Sequence, residues 1–313
     1  SNNRRRLWLN RCCRILICLS LISLTAFSGC RTMRSATGDT DIAAARDLTF
    51  HGMNALHYGQ ADQAEQLLSR AVDACPCDGR IRQHLATALV EQGKIDAAIE
   101  QLETAIDNSC HDPRLYVELG NLHLTKQDPA TAAEYARVAL RINRQNPCAW
   151  ILQGRCQDAQ ADAEAALASF HRAAGLADAD PQVQIHIAQT YRRMGRPLQA
   201  LNALEVYGES FAADQLPMDA VLLTANTLID LKQHQHASEQ LALATRRTDA
   251  TAETWLTLSR AQYLAGNLSA AQSTANNAQQ LFPEHTELQT WIASLPRPGS
   301  TAGRTAAVPA NRY

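Results

Sequence analysis

The residues best suited to chemistry are Cys75 and Cys77, separated by Pro76, and Cys110 followed by His111. Thiolate sulfur and imidazole nitrogen are preferred zinc ligands, and the same thiols could exchange a disulfide. A zinc site usually pairs two short ligand spacings, and a Cys-x-Cys split by proline with a distant Cys-His does not supply them. Of the nine cysteines, Cys12, Cys13 and Cys18 lie in an N-terminal apolar segment and Cys30 at its end. Cys75, Cys77, Cys110, Cys148 and Cys156 are left, an odd set in which at least one thiol has no partner in the chain. A metal- or thiol-redox-handling protein using Cys75, Cys77, Cys110 and His111 is therefore one reading. The sequence has no GxSxG, HExxH, phosphate loop or dinucleotide fingerprint. Neither a catalytic residue, a metal site nor a cofactor is expected, and the chain does not read as an enzyme.

The N-terminal segment has a different use. Arg4, Arg5, Arg6, Arg11 and Arg14 make a basic head, and the apolar run Ile15–Phe27 has 13 residues. A membrane-spanning helix needs about 20, whereas the apolar core of an export signal needs roughly 7–15 after a positive head. Removing the five arginines with the signal leaves 24 basic residues against 31 acidic ones, a balance of about −7. That charge argues against a general nucleic-acid binder, which needs a basic stripe.

The rest of the chain keeps a fixed period. Pro113, Pro147 and Pro181 are 34 residues apart, preceded by Asp112, Asn146 and Asp180. Asp or Asn at an N-cap followed by Pro at the first helical position is a helix start. Around these starts small residues recur: Ala64, Ala98, Ala132, Ala166, Ala200, Ala237 and Ala271, with Gly59, Gly93, Gly195 and Gly266 at inter-helix turns. Seven units of 34 residues with one insertion, Gln215 to Pro217, fill residues 45–285. Repeats of this size cannot bury an apolar face alone and must stack.

These motifs resemble the tetratricopeptide repeat, over about 80% of the chain. The resemblance implies an all-α fold: a right-handed superhelical solenoid of seven helix-turn-helix repeats at 45–78, 79–112, 113–146, 147–180, 181–214, 218–251 and 252–285. A capping helix at 286–295 would close it, with Leu288, Trp291, Ile292 and Leu295 at helical spacing. Residues 296–313 contain no acid and are expected to be disordered. Ser28-Gly29-Cys30 resembles a bacterial lipobox, with Phe27 where that motif usually has Leu. It implies a signal peptide at 1–29, a lipidated Cys30 and a tether at 30–44. Arg31 in place of Asp would, by the enterobacterial sorting rule, favour the periplasmic face of the outer membrane.

In tetratricopeptide-repeat proteins the first helix of each repeat lines a concave groove. Its positions carry Asn121, Arg155, Gln189, Arg192, Arg193, Asn226, Arg260 and Tyr263 here, beside Val117, Ile151, Ile185, Leu222 and Leu256. Asn and Gln can pair with the amides of an extended peptide, Arg can fork onto a carboxylate, and the aliphatic residues could form side-chain pockets. The expected function is a membrane-anchored, non-catalytic envelope scaffold. It would bind protein or peptide segments in this groove, for pilus or secretin assembly or for docking cell-wall enzymes.

Overall fold

A computed structural model describes residues 33–108, 112–176, 180–212 and 215–296. Cys30, the signal segment, Cys110, His111 and residues 297–313 lie outside the described residues. All regular elements among the described residues are helices. They pair as α1 (Met33–His57) with α2 (Ala61–Ala74), α3 (Gly79–Glu91) with α4 (Ile95–Asn108), α5 (Pro113–Thr125) with α6 (Pro129–Ile142), and α7 (Pro147–Ala159) with α8 (Ala163–Ala174). α9 (Val183–Arg193) with α10 (Pro197–Gly208), α11 (Met218–Asp230) with α12 (His234–Ala244), and α13 (Ala252–Leu264) with α14 (Leu268–Leu281) follow, and α15 (Thr286–Ser294) closes the stack.

The helix starts follow from local chemistry. Asp112 Oδ1 accepts from Arg114 N at 2.9 Å, Asp128 Oδ1 from Thr131 N at 3.1 Å, and Asn146 Oδ1 from Ala149 N at 3.3 Å. Each satisfies an amide that a helix start leaves without a partner. Asp180 makes the same kind of bond to Gln182 N at 2.8 Å, but regular helix begins only at Val183. At the other end, α1 begins at Met33 rather than at the expected first repeat, Ala45. Residues 33–44 of the expected tether are therefore helical: no proline interrupts them, and Ala43-Ala44-Ala45 favours helix.

Every turn between the two helices of a repeat uses one device. Gly59, Gly93, Gly195 and Gly266 have φ between 68° and 85°. The equivalent residues of the other three repeats, Gln127, Ala161 and Lys232, take φ of 59°, 64° and 61° without being glycine. A left-handed residue here turns the chain back so that the second helix lies on the first.

Close packing explains the alanines. Ala64, Ala98, Ala132, Ala166, Ala200, Ala237 and Ala271 all have 0% exposure. Opposite them the first helix carries Gly52, Ala86, Gly120, Gly154, Ala188, Ala225 and Ser259, and a Cβ on Gly154 would stand 2.5 Å from Phe170 Cε1. Tyr207 replaces the later alanine of the fifth repeat and is buried, its hydroxyl donating to Gln182 Oε1 at 3.2 Å. The insertion follows immediately, and Arg247 Nη1 ties it down through Leu216 O at 2.7 Å.

First helices of neighbouring repeats pack against one another along most of the stack, whereas second helices make no contact of comparable extent. The stack therefore curves with the first helices inside. In α15, Leu288 and Trp291 are buried against the last repeat, and Trp291 Nε1 donates to Ser259 Oγ at 2.8 Å.

Candidate functional site: an inner face cross-linked between repeats

The inner face is built from α3, α5, α7, α9, α11 and α13, and its polar side chains reach from one repeat to the next. Arg155 Nη1 donates to Asn121 Oδ1 at 2.6 Å, joining two residues 34 apart in sequence. Arg192 Nε donates to Asp230 Oδ2 at 2.6 Å, and Arg193 pairs with Asp158. Gln83 donates its amide to Glu118 one repeat later. Burial pushes the Glu118 carboxyl above its ordinary range, while the Gln83 amide pulls it down. The period that stacks the repeats thus also brings like positions into register.

A cleft of about 890 Å³ opens on this face at repeats five and six. Gln189, Arg192, Arg193 and Asn226 line it together, with Leu222 and Leu223 among its apolar walls. Its carboxylates, Asp158, Asp219, Asp230 and Glu253, are absent from the sequence-level groove set. Their signal was available: Asp158 and Asp230 stand at the twelfth and thirteenth positions of their repeats, the same positions that carry Arg192 and Arg193 in the fifth. Only the structure shows that they neutralise Arg192 and Arg193. These arginines, like Arg155, are therefore not open forks awaiting a ligand carboxylate. Among the described residues the Gln189 and Asn226 amides have no hydrogen-bond partner, and Asp219 and Glu253 form no ion pair.

The other expected groove residues lie elsewhere. Asn121, in the third repeat, and Arg155, in the fourth, are spent on each other outside the cleft lining. Arg260 packs its guanidinium 5.7 Å from the Trp291 ring centre, and its Nε is buried without a partner. Tyr263 meets the same ring edge-on at 5.7 Å. These two residues belong to the junction with α15. Val117, Ile185, Leu222 and Leu256 are no more than 8% exposed, so they serve mainly to pack repeats, though Leu222 also reaches the cleft. His186, behind the cleft, stacks on Phe170 at 5.3 Å, and burial lowers its pKa, with Arg155 acting in the same direction.

Among the described residues the cysteines form no pair. Cys75, Cys77, Cys148 and Cys156 are free thiols, and burial pushes Cys156 up to about 11. Among the described residues no three His, Cys, Asp or Glu side chains come together as a metal site would require.

A tetratricopeptide-repeat family model matches residues 85–147, from within α3 to the first residue of α7. The paired helices, the left-handed turn residue and the buried alanine recur on either side of that match with the same spacing. Residues 85–147 are thus similar to the tetratricopeptide-repeat family, and the chain on either side has the fold of the same repeat. Solved structures agree on the fold of this repeat stack. A tetratricopeptide repeat protein from Parabacteroides merdae aligns with a TM-score of 0.59 at 12% identity, covering 80% of this chain and 98% of its own. PilW, described as a widely conserved type IV pilus biogenesis factor, aligns at 0.53 and 18% identity over 79% of this chain and 97% of its own. Pseudomonas aeruginosa pilF aligns at 0.51 and 14% identity over 83% and 98%. No curated protein matches the sequence.

Proposed function

We propose that this tetratricopeptide-repeat chain is a non-catalytic scaffold of the bacterial cell envelope, held at the membrane by lipid on Cys30. Its inner cleft at repeats five and six would grip an extended segment of a partner protein. The observation that carries this reading is the cleft itself, where the unpartnered amides of Gln189 and Asn226 face a partly apolar wall. Such amides can pair with the backbone of an extended peptide, and the apolar wall can take its side chains. The charges left unpaired in the cleft are Asp219 and Glu253, so the partner segment carries a basic side chain. This reverses the carboxylate expected from the arginines alone.

The anchor reading is supported by the sequence before Cys30: a basic head, a short apolar run and Ser28-Gly29. Arg31 favours the outer membrane under the enterobacterial rule. PilW shows that a pilus biogenesis factor has been built on this fold, and docking of cell-wall enzymes is an equally suitable use of the same cleft.

Two measurements test the proposal. A photo-crosslinking residue at Asn226 should capture a partner in cells, and Asp219→Lys with Glu253→Lys should abolish that capture at unchanged helical content. Capture that persists in the charge-reversed variant would remove the cleft from the mechanism. Metabolic labelling with a fatty acid should mark the chain and not Cys30→Ala, and equal labelling of both would remove the anchor.

A further inference from the structure

A second recess, of about 850 Å³, lies away from the inner cleft on the face formed by second helices. Val138, Leu140 and the Trp150 ring give it an apolar lining, and Arg137, Arg141 and Arg144 surround it. Arg172, from the end of α8, places its guanidinium 5.3 Å from the Trp150 ring centre. Three arginines thus share the recess with Trp150 and a fourth stacks on its ring, in a chain whose formal net charge is −2.

The charge of this patch is not cancelled internally. Glu134 is the one acid in the lining, 3.8 Å from Arg137 in an exposed pair, a type of contact that contributes little. Arg141, Arg144 and Arg172 form no ion pair among the described residues. Arg141 sits in the last turn of α6, where a cation favours the helix end. That explanation does not extend to Arg144, which lies past the helix, or to Arg172, which comes from another one. Trp150 is fixed in place, its Nε1 donating to Arg144 O at 2.9 Å. Arginine and tryptophan are the residue types that dominate binding energy at protein interfaces, and a guanidinium fork matches a carboxylate.

We propose that this outer recess docks an acidic protein segment, one that sets two or more carboxylates on Arg141, Arg144 and Arg172 and lays an apolar side chain against Trp150. A bilayer surface is the less suitable occupant. An interfacial anchor presents its aromatics outward into the headgroup layer, whereas Trp150 is half-buried in a recess with its N–H satisfied and a guanidinium over its ring. The proposal does not depend on the inner cleft, and the chain would then join two partners of opposite charge on opposite faces.

The test is fluorescence anisotropy on the full chain, with a short labelled peptide of alternating glutamate and leucine. Its lysine counterpart is the control. The chain should bind the acidic peptide and not the basic one at this face, with affinity falling as salt is raised. Arg141→Glu with Arg144→Glu should weaken binding at least about tenfold, a change of about 1.4 kcal/mol. Both side chains are exposed, so helical content should not change. Asn226→Ala should leave acidic-peptide binding intact, which separates this surface from the cleft. No binding by the unaltered chain, or equal binding by the charge-reversed variant, overturns the proposal. Binding to phosphatidylglycerol vesicles that is lost in the same variant, without peptide binding, replaces the protein partner with a membrane.

Discussion

Replacing Gly154 by alanine should destabilise the protein, although alanine is the better helix former. An added Cβ would stand 2.5, 2.7 and 3.0 Å from Cε1, Cδ1 and Cζ of Phe170. Carbon atoms prefer about 3.5–4.0 Å. Phe170 is 1% exposed and among the largest fully buried side chains, so its ring has nowhere to swing. Overpacking of this kind costs about 1–3 kcal/mol, and relief of the glycine backbone entropy returns about 0.5–1 kcal/mol. Gly154→Ala should therefore lose about 1–2 kcal/mol. In a Phe170→Ala background all three ring atoms are gone, and the same substitution should gain up to about 1 kcal/mol. The four proteins of this cycle can be compared by urea unfolding followed by circular dichroism. The diagnostic result is a change of sign between backgrounds, with a coupling of about 1–3 kcal/mol. A neutral or stabilising Gly154→Ala in the unaltered chain would show that close approach is not what requires glycine there. An equal loss in both backgrounds would place the clash on something other than the ring.

Ala161 holds φ of 64°, so Ala161→Gly should stabilise the fourth repeat by about 0.5–1 kcal/mol, measured as a shift in the urea midpoint. Strain relief there exceeds the added freedom of the unfolded chain. His186 has its pKa lowered by burial, so the unfolded chain takes up a proton near pH 6.5, where the folded chain does not. Its contribution is complete above about pH 6.5 and is lost as pH falls below that value. His186→Phe should flatten this part of the stability–pH curve, and an unchanged slope would assign the loss to other groups. Among the described cysteines, an alkylating reagent at pH 8 should modify the exposed Cys77 and Cys148 in the native protein and spare Cys156, whose thiol is buried and pushed up to about 11. Mass mapping reads the pattern, and rapid native labelling of Cys156 would contradict the packing of α7.

The cap and turn chemistry explains how much of the fold was legible. Asp112, Asn146 and their following prolines mark helix starts because they act on amides two or three residues away. Local rules of this reach are written in local sequence. Gln127, Ala161 and Lys232 take the turn conformation without the residue that advertises it. The packing of two whole helices imposes the turn, and its side chain need only tolerate it. The helical start of α1 at Met33 was missed because a polar stretch read as a tether, and polarity alone does not forbid helix.

By itself the sequence determined the class of the molecule: paired helices at a fixed period, with small residues at each contact. A periodic pattern determines these because each repeat sees the same neighbours. Only the tertiary structure decided what those side chains are free to do. Arg155, Arg192 and Arg193 face inward as the period requires, yet each meets an oxygen from an adjacent repeat. Whether two such groups meet depends on the rise and twist between repeats, a few ångströms that no spacing in the sequence encodes. The same displacement leaves Asp219 and Glu253 open in the cleft and brings Arg172 over Trp150 on the far face.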